Sequence, residues 1–249
     1  MNSCRKNKGF TLIELMIGLS IAAVFTTAIV QLVIAASSSY QLQQSLGALQ
    51  ENARFAINTM QSEIESAGYQ QQPWISSADW AIDSIDDVSA TSDSVIIRRW
   101  SDSNCFENPN PTLDIDAKPA FYLRETRFSV SGSGNLAQTC RYGPGSTQLT
   151  TQINNLGLVE NVEAFQMLYA EDSDLDGNAD RWVTAGKWSD EKNVLAIRLA
   201  ILLTTTNPVD AGASTNYQVL DQSIPGPDDG RIRRVFESTF SIRGRHRGV

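Results

Sequence analysis

Residues Phe10 to Ala36 read FTLIELMIGLSIAAVFTTAIVQLVIAA, an apolar run carrying a single ionisable side chain, Glu14. About 20 apolar residues in a helix suffice to cross a bilayer, so this run can span one. Arg5, Lys6 and Lys8 precede it and would keep the extreme N-terminus on the cytoplasmic side. A carboxylate within such a run costs about 2.5–3.5 kcal/mol on insertion scales and by default marks function. A secretory signal cut near Ala35 or Ala36 is the alternative reading, and both Glu14 and the length of the run argue against it.

The apolar pattern continues beyond Ala36 with a changed face. Leu42, Leu46, Leu49, Ala53, Ile57, Met60 and Ile64 recur at spacings of three and four, while Gln43, Gln50, Glu51, Arg54 and Glu65 occupy the other side. No proline occurs before Pro73 and Gly68 can end a helix, so the pattern predicts one helix over 10–67, about 87 Å long at 1.5 Å per residue. After Pro73 the chain changes to strand-like segments: 94–100, 120–131, 136–142, 159–170, 193–205 and 234–243. Gly132-Ser133-Gly134-Asn135 reads as a hairpin turn. Although 132–137 matches GxGxxA, no helix pattern follows it, so it is no dinucleotide site. The polar stretches 76–94 and 207–229 read as surface loops. The expected fold is α+β, with a long N-terminal helix packed on a mostly antiparallel sheet that carries long loops. Its expected segments are 1–9, 10–36 (apolar half-helix), 37–68 (amphipathic half-helix) and 69–249 (globular body).

The string Lys8-Gly9-Phe10-Thr11-Leu12-Ile13-Glu14 resembles the processing site of type IV pilins and type II secretion pseudopilins. That resemblance implies cleavage after Gly9 by a prepilin peptidase, methylation of the new N-terminal Phe10, and a role for Glu14 in pairing with the amine of a neighbouring subunit. Leu49–Ala56, Ala67-Gly68-Tyr69, Tyr169 before an aspartate-rich loop, Ile197-Arg198 and Arg233–Phe236 resemble PilW-type minor pilins, with J-class pseudopilins a close alternative. The implied role is a structural subunit that helps to initiate pilus assembly in a tip complex. Its partners would be other minor pilins and the major pilin. The implied location is the inner membrane before assembly and the cell surface afterwards, with the body periplasmic or extracellular. A tip adhesin is a further partner to consider, and an adhesive module using loops 74–120 and 207–229 is a separate reading.

Formal charge is −8, and loss of the first nine residues would take it to −11. An acidic body repels nucleic acid, so no nucleic-acid partner is expected. Cys105 and Cys140 in an exported body read as one disulfide, against two unpaired thiols, while Cys4 lies in the leader. His246 is the sole histidine and sits in a basic tail, so no nucleophile–base pair is visible and no enzymatic activity is expected. One cluster could hold a cation. Asp172, Asp174, Asp176, Asn178 and Asp180, with Gly177 at the sixth place, fit the first nine positions of a calcium loop. Val183 stands where an EF-hand has glutamate, so Glu171, Asp190 or a carbonyl would have to complete the shell. The alternative is a solvated acidic turn.

Overall fold

The computed structural model describes residues 10–69, 82–85, 92–111, 119–209 and 215–243. The chain divides into two compact units, Met1–Leu46 and Gly47–Val249. Helix α1 (Leu12–Glu65) runs through both.

In the first unit α1 is exposed throughout its apolar segment, with Leu12, Ile13, Ile17, Phe25 and Leu32 among the bare side chains. Its hydroxyls are internally satisfied: Ser20 Oγ donates to Met16 O at 2.8 Å, Thr26 Oγ1 to Ala22 O at 2.7 Å and Ser38 Oγ to Ala35 O at 3.0 Å. Such back-bonding lets small polar residues sit in an apolar helix without an unmet donor. By length and composition this helix can cross a membrane.

In the second unit α1 buries Leu49, Ala53, Ala56, Met60, Glu63 and Ile64. The predicted stripe holds from Leu49 onward, with Ala56 and Glu63 added and Ile57 only half-buried. Burying each of Leu49, Met60 and Ile64 contributes about 2 kcal/mol. The helix stops two residues short of the predicted end. Gly68 follows with φ of 75°, a left-handed conformation open to glycine, and its N–H donates to Arg98 O at 2.9 Å.

The described residues of the body hold eleven strands: β1 (Ile82–Ile85), β2 (Ser94–Ser101), β3 (Tyr122–Val130), β4 (Leu136–Gly143), β5 (Thr150–Val159), β6 (Val162–Glu171), β7 (Arg181–Val183), β8 (Val194–Thr204), β9 (Asn216–Val219), β10 (Gln222–Pro225) and β11 (Arg233–Ser241). They form three sheets rather than one, in the orders β1-β2-β3-β4-β5, β11-β8-β6-β7 and β10-β9, and every strand pairing is antiparallel. The predicted strand 159–170 is divided. Asn161, at φ 60°, turns the chain from β5 in one sheet into β6 in the other. Neither glycine nor proline lies between Val159 and Val162, so the usual turn residues do not mark the break.

Residues 92–93 stitch the two larger sheets together. Asp93 N–H donates to Phe165 O at 2.7 Å, and Asp93 Oδ2 accepts from Met167 N at 2.8 Å. The stretch 207–229, expected as loop, contains the β9–β10 hairpin. Its Val219 packs on Ala164, Ala200 and Leu202, covering one face of the four-stranded sheet. Phe165, Met167, Tyr169, Ile197, Leu199 and Ile201 are fully buried on the opposite face. The turn at 132–134 joins β3 to β4 as the sequence suggests, closed by Ser131 N–H donating to Asn135 O at 2.8 Å.

Candidate functional site

Two features carry chemistry: the head of α1 and the acidic loop between β6 and β7. Gly9 lies outside the described residues. Phe10 is the first described residue and is 91% exposed. Thr11 caps the helix in a reciprocal box. Glu14 N–H donates to Thr11 Oγ1 at 3.3 Å, while Glu14 Oε2 accepts from Thr11 N and from Thr11 Oγ1, each at 2.9 Å. Sequence reasoning missed this box, although Thr-x-x-Glu at the start of an apolar run is its signature. The box places the Glu14 carboxylate over the first turn of α1. Among the described residues Thr11 is its sole partner.

The second carboxylate of α1 that matters is Glu63, and it is satisfied from within the body. Arg124 on β3 donates to Glu63 Oε1 at 2.8 Å and Thr126 Oγ1 donates to Oε2 at 3.3 Å, with Arg99 Nε 3.6 Å from the same oxygen. Arg124 also pairs with Glu107 in the loop after β2. Burial opposes ionisation of Glu107, but bonds from Arg124 and Ser103 outweigh it and hold the carboxyl below its ordinary value. Cys105 of the same loop is bonded to Cys140 on β4, as expected.

The acidic loop gathers part of the predicted ligand set. One oxygen from each of Asp172, Asp174 and Asp176 lies within 4.8 Å of the others. Gly177, at φ 100°, permits the turn and donates its N–H to Asp172 Oδ2 at 3.0 Å. Asn178 reaches the cluster as a donor rather than a ligand, and Asp180 stands outside it. The Asn178 amide donates to Asp176 Oδ2 at 3.0 Å, and Asp180 Oδ2 accepts from Ser173 N and Oγ, both at 2.7 Å. Those bonds hold the Asp180 carboxyl below its ordinary value. Glu171, suggested as a completing ligand, is fully buried and committed elsewhere. It accepts from Arg181 Nε at 2.9 Å and from Ser189 N at 2.6 Å. Burial opposes its ionisation, and the bonds from Ser189 and Arg181 overcome that and lower its pKa. Asp190 caps a short 3-10 turn through Lys192 N at 2.9 Å. Three hard carboxylate donors at this spacing suit calcium better than a transition metal.

Residues 128–244 match the sequence model of PilW, the type IV pilus-assembly protein W family, and residues 4–30 match the prokaryotic N-terminal methylation motif. Among solved structures, the type IV-like pilin TTHA1219 from Thermus thermophilus shares this fold. The TM-score is 0.54 at 18% identity, over 80% of this chain and 97% of that one. No curated protein sequence gives a significant match.

Proposed function

We propose, from the premise that this chain is a PilW-type member of the type IV pilins, that it is a minor pilin working as a structural subunit in the priming of pilus assembly. One observation carries the reading. The body buries its own core and pairs buried charges such as Glu63 and Arg124 within itself, whereas the apolar half of α1 is bare from Leu12 to Ile34 and is headed by a carboxylate whose one partner among the described residues is its cap. A helix of that kind is stable in a bilayer or among like helices and nowhere else. In this reading prepilin peptidase cuts after Gly9 on the cytoplasmic side, and Phe10 gains a methylated amine. The α1 heads of neighbouring subunits then meet, ammonium against the Glu14 carboxylate, each offsetting the other's desolvation. The partners are other minor pilins and the major pilin. The chain waits in the inner membrane and ends at the cell surface, with no catalytic step of its own. The match to a pilus-assembly family favours the pilus over a secretion pseudopilus.

Mass spectrometry of the mature chain tests the premise: it should begin at N-methylated Phe10, and a start at Ser37 overturns filament membership. Deleting the gene should lower surface piliation and twitching. Normal fibre number with the chain still found in fibres would leave membership intact and remove priming.

Calcium belongs to the same proposal. Asp172, Asp174 and Asp176 are the ligands the geometry favours, and the cation would offset their mutual repulsion and lock the β6–β7 loop. Calorimetry on the full chain in detergent should show heat with millimolar calcium and a raised thermal midpoint, both lost in the Asp174→Asn, Asp176→Asn variant. No heat and no shift in the unaltered chain sinks calcium while leaving the pilin reading untouched.

A further inference from the structure

Strand β8 is apolar except at Arg198 and its last residue, Thr204, and the structure gives that arginine an unusual setting. On the sheet face opposite Ile197, Leu199 and Ile201, its guanidinium carbon lies 4.0 Å from the ring centroid of Trp182 on β7. Its Nε donates to Thr239 Oγ1 on β11 at 3.3 Å, across the register Arg198↔Thr239. Arg198 is half-buried, and among the described residues its two terminal amino groups have no hydrogen bond and no ion pair. Glu237, two residues along β11 on the same exposed face, forms no ion pair with it among those residues. The β9–β10 hairpin covers this face at Ala164, Ala200 and Leu202, and Arg198 lies outside that cluster.

A guanidinium stacked on one side and tethered at Nε has lost most of its freedom already, so binding through its terminal fork costs little further ordering. The fork matches a carboxylate bidentately, and tryptophan with arginine are the residue types that dominate interface energetics. In a chain of net charge −8 this exposed cation is complementary to an acidic side chain of another protein.

We infer that Trp182, Arg198 and Thr239 form a docking platform for an Asp or Glu side chain of a neighbouring pilin-type subunit; the choice of occupant rests on the function proposed above. The platform adds a lateral contact between globular bodies, independent of the α1 heads.

The test places a photo-crosslinking phenylalanine at Ser241, exposed on the same face but outside the platform, in the full-length chain in cells that make fibres. After irradiation, sheared fibres should contain an adduct with a subunit that begins with a methylated residue, joined within reach of an Asp or Glu. Arg198→Ala should lower the adduct yield about tenfold, the size of one charge-assisted pair. Arg198→Lys, which keeps the charge and the ring contact but lacks the fork, should lower it by several-fold. Equal yield in Arg198→Lys and the unaltered chain would give Arg198 a stacking role alone and overturn the docking. So would an adduct to a protein without a pilin N-terminus. Presence of the chain in fibres is read from the same preparation. Its absence removes the filament reading and the platform together, whereas its presence without an Arg198-dependent adduct removes the platform alone.

Discussion

Glu14 and Glu63 are carboxylates of one helix, and their surroundings differ in a way that separates assembly from folding. Glu63 meets Arg124 at 2.8 Å, with Thr126 and Arg99 close by, all supplied by its own chain. Glu14 meets only Thr11 among the described residues. A buried charge with its partner in the same chain pins the helix to the sheet. An acid in an apolar helix whose one described partner is a cap residue takes its counter-charge, in the function proposed above, from another molecule.

Breaking each glutamate in turn is the most direct way to test that contrast. Glu14→Ala should reduce incorporation into sheared fibres by more than about tenfold, since the desolvated partner amine loses its counter-charge, while the thermal midpoint of the detergent-solubilised chain hardly moves. Opening the disulfide with Cys105→Ser and Cys140→Ser should destabilise the body by about 3–4 kcal/mol in the chain-entropy model, read by denaturant unfolding. Glu63→Ala should do the opposite of Glu14→Ala, lowering body stability by roughly 3 kcal/mol because Arg124 is left buried with Glu107 as its remaining partner. If Glu63→Ala spared stability and abolished incorporation, the division between the two acids would be wrong. Thr11→Val should cost about 1 kcal/mol of helix-start stability, seen as faster amide exchange in the first turn.

The weakest effect concerns pH. Glu107, Glu171, Asp180 and Asp229 are all held below their ordinary values, Asp229 chiefly by hydrogen bonds from Arg233. A lowered carboxyl contributes stability that is present above the ordinary carboxyl range near pH ~4 and lost as the pH falls through its folded-state value. Glu191 runs the other way, its carboxyl raised by burial and by Asp190 and Asp83. The four lowered groups outnumber it, so the thermal midpoint should fall as the pH drops below about 4. Four of these five groups lie on loops and Glu171 ends β6, so this loss should appear in the body before it appears in helical signal.

How far the sequence could be read follows from where the physics is local. α1, β2, β3, β4 and β11 show as apolar patterns because each has a face in the core, and β8 as a near-continuous apolar run because both its faces are covered. Cys105 and Cys140 could be paired because an exported body holds two. β5, in contrast, is TTQINNLGLV, a largely exposed edge strand with no alternation to find, and its pairing with β4 is broken by register shifts. The β9–β10 hairpin depends on Val219 meeting Ala164, Ala200 and Leu202, a long-range contact that no local pattern encodes. No local pattern sets Glu63 apart in the sequence. Only the fold brings Arg124 to it, 61 positions away. At the acidic loop, spacing identified the three gathered aspartates. It could not foresee that Ser173 takes Asp180 and that Arg181 and Ser189 take Glu171.

Ser20, Thr26, Thr27 and Ser38 each return their hydroxyl proton to the carbonyl three or four residues back. In the proposed passage from lipid to fibre these four hydroxyls therefore cross already saturated, with no partner to lose and replace. The passage exchanges one greasy environment for a second of similar polarity, and Glu14 is the one ionised group of the apolar run that it must accommodate.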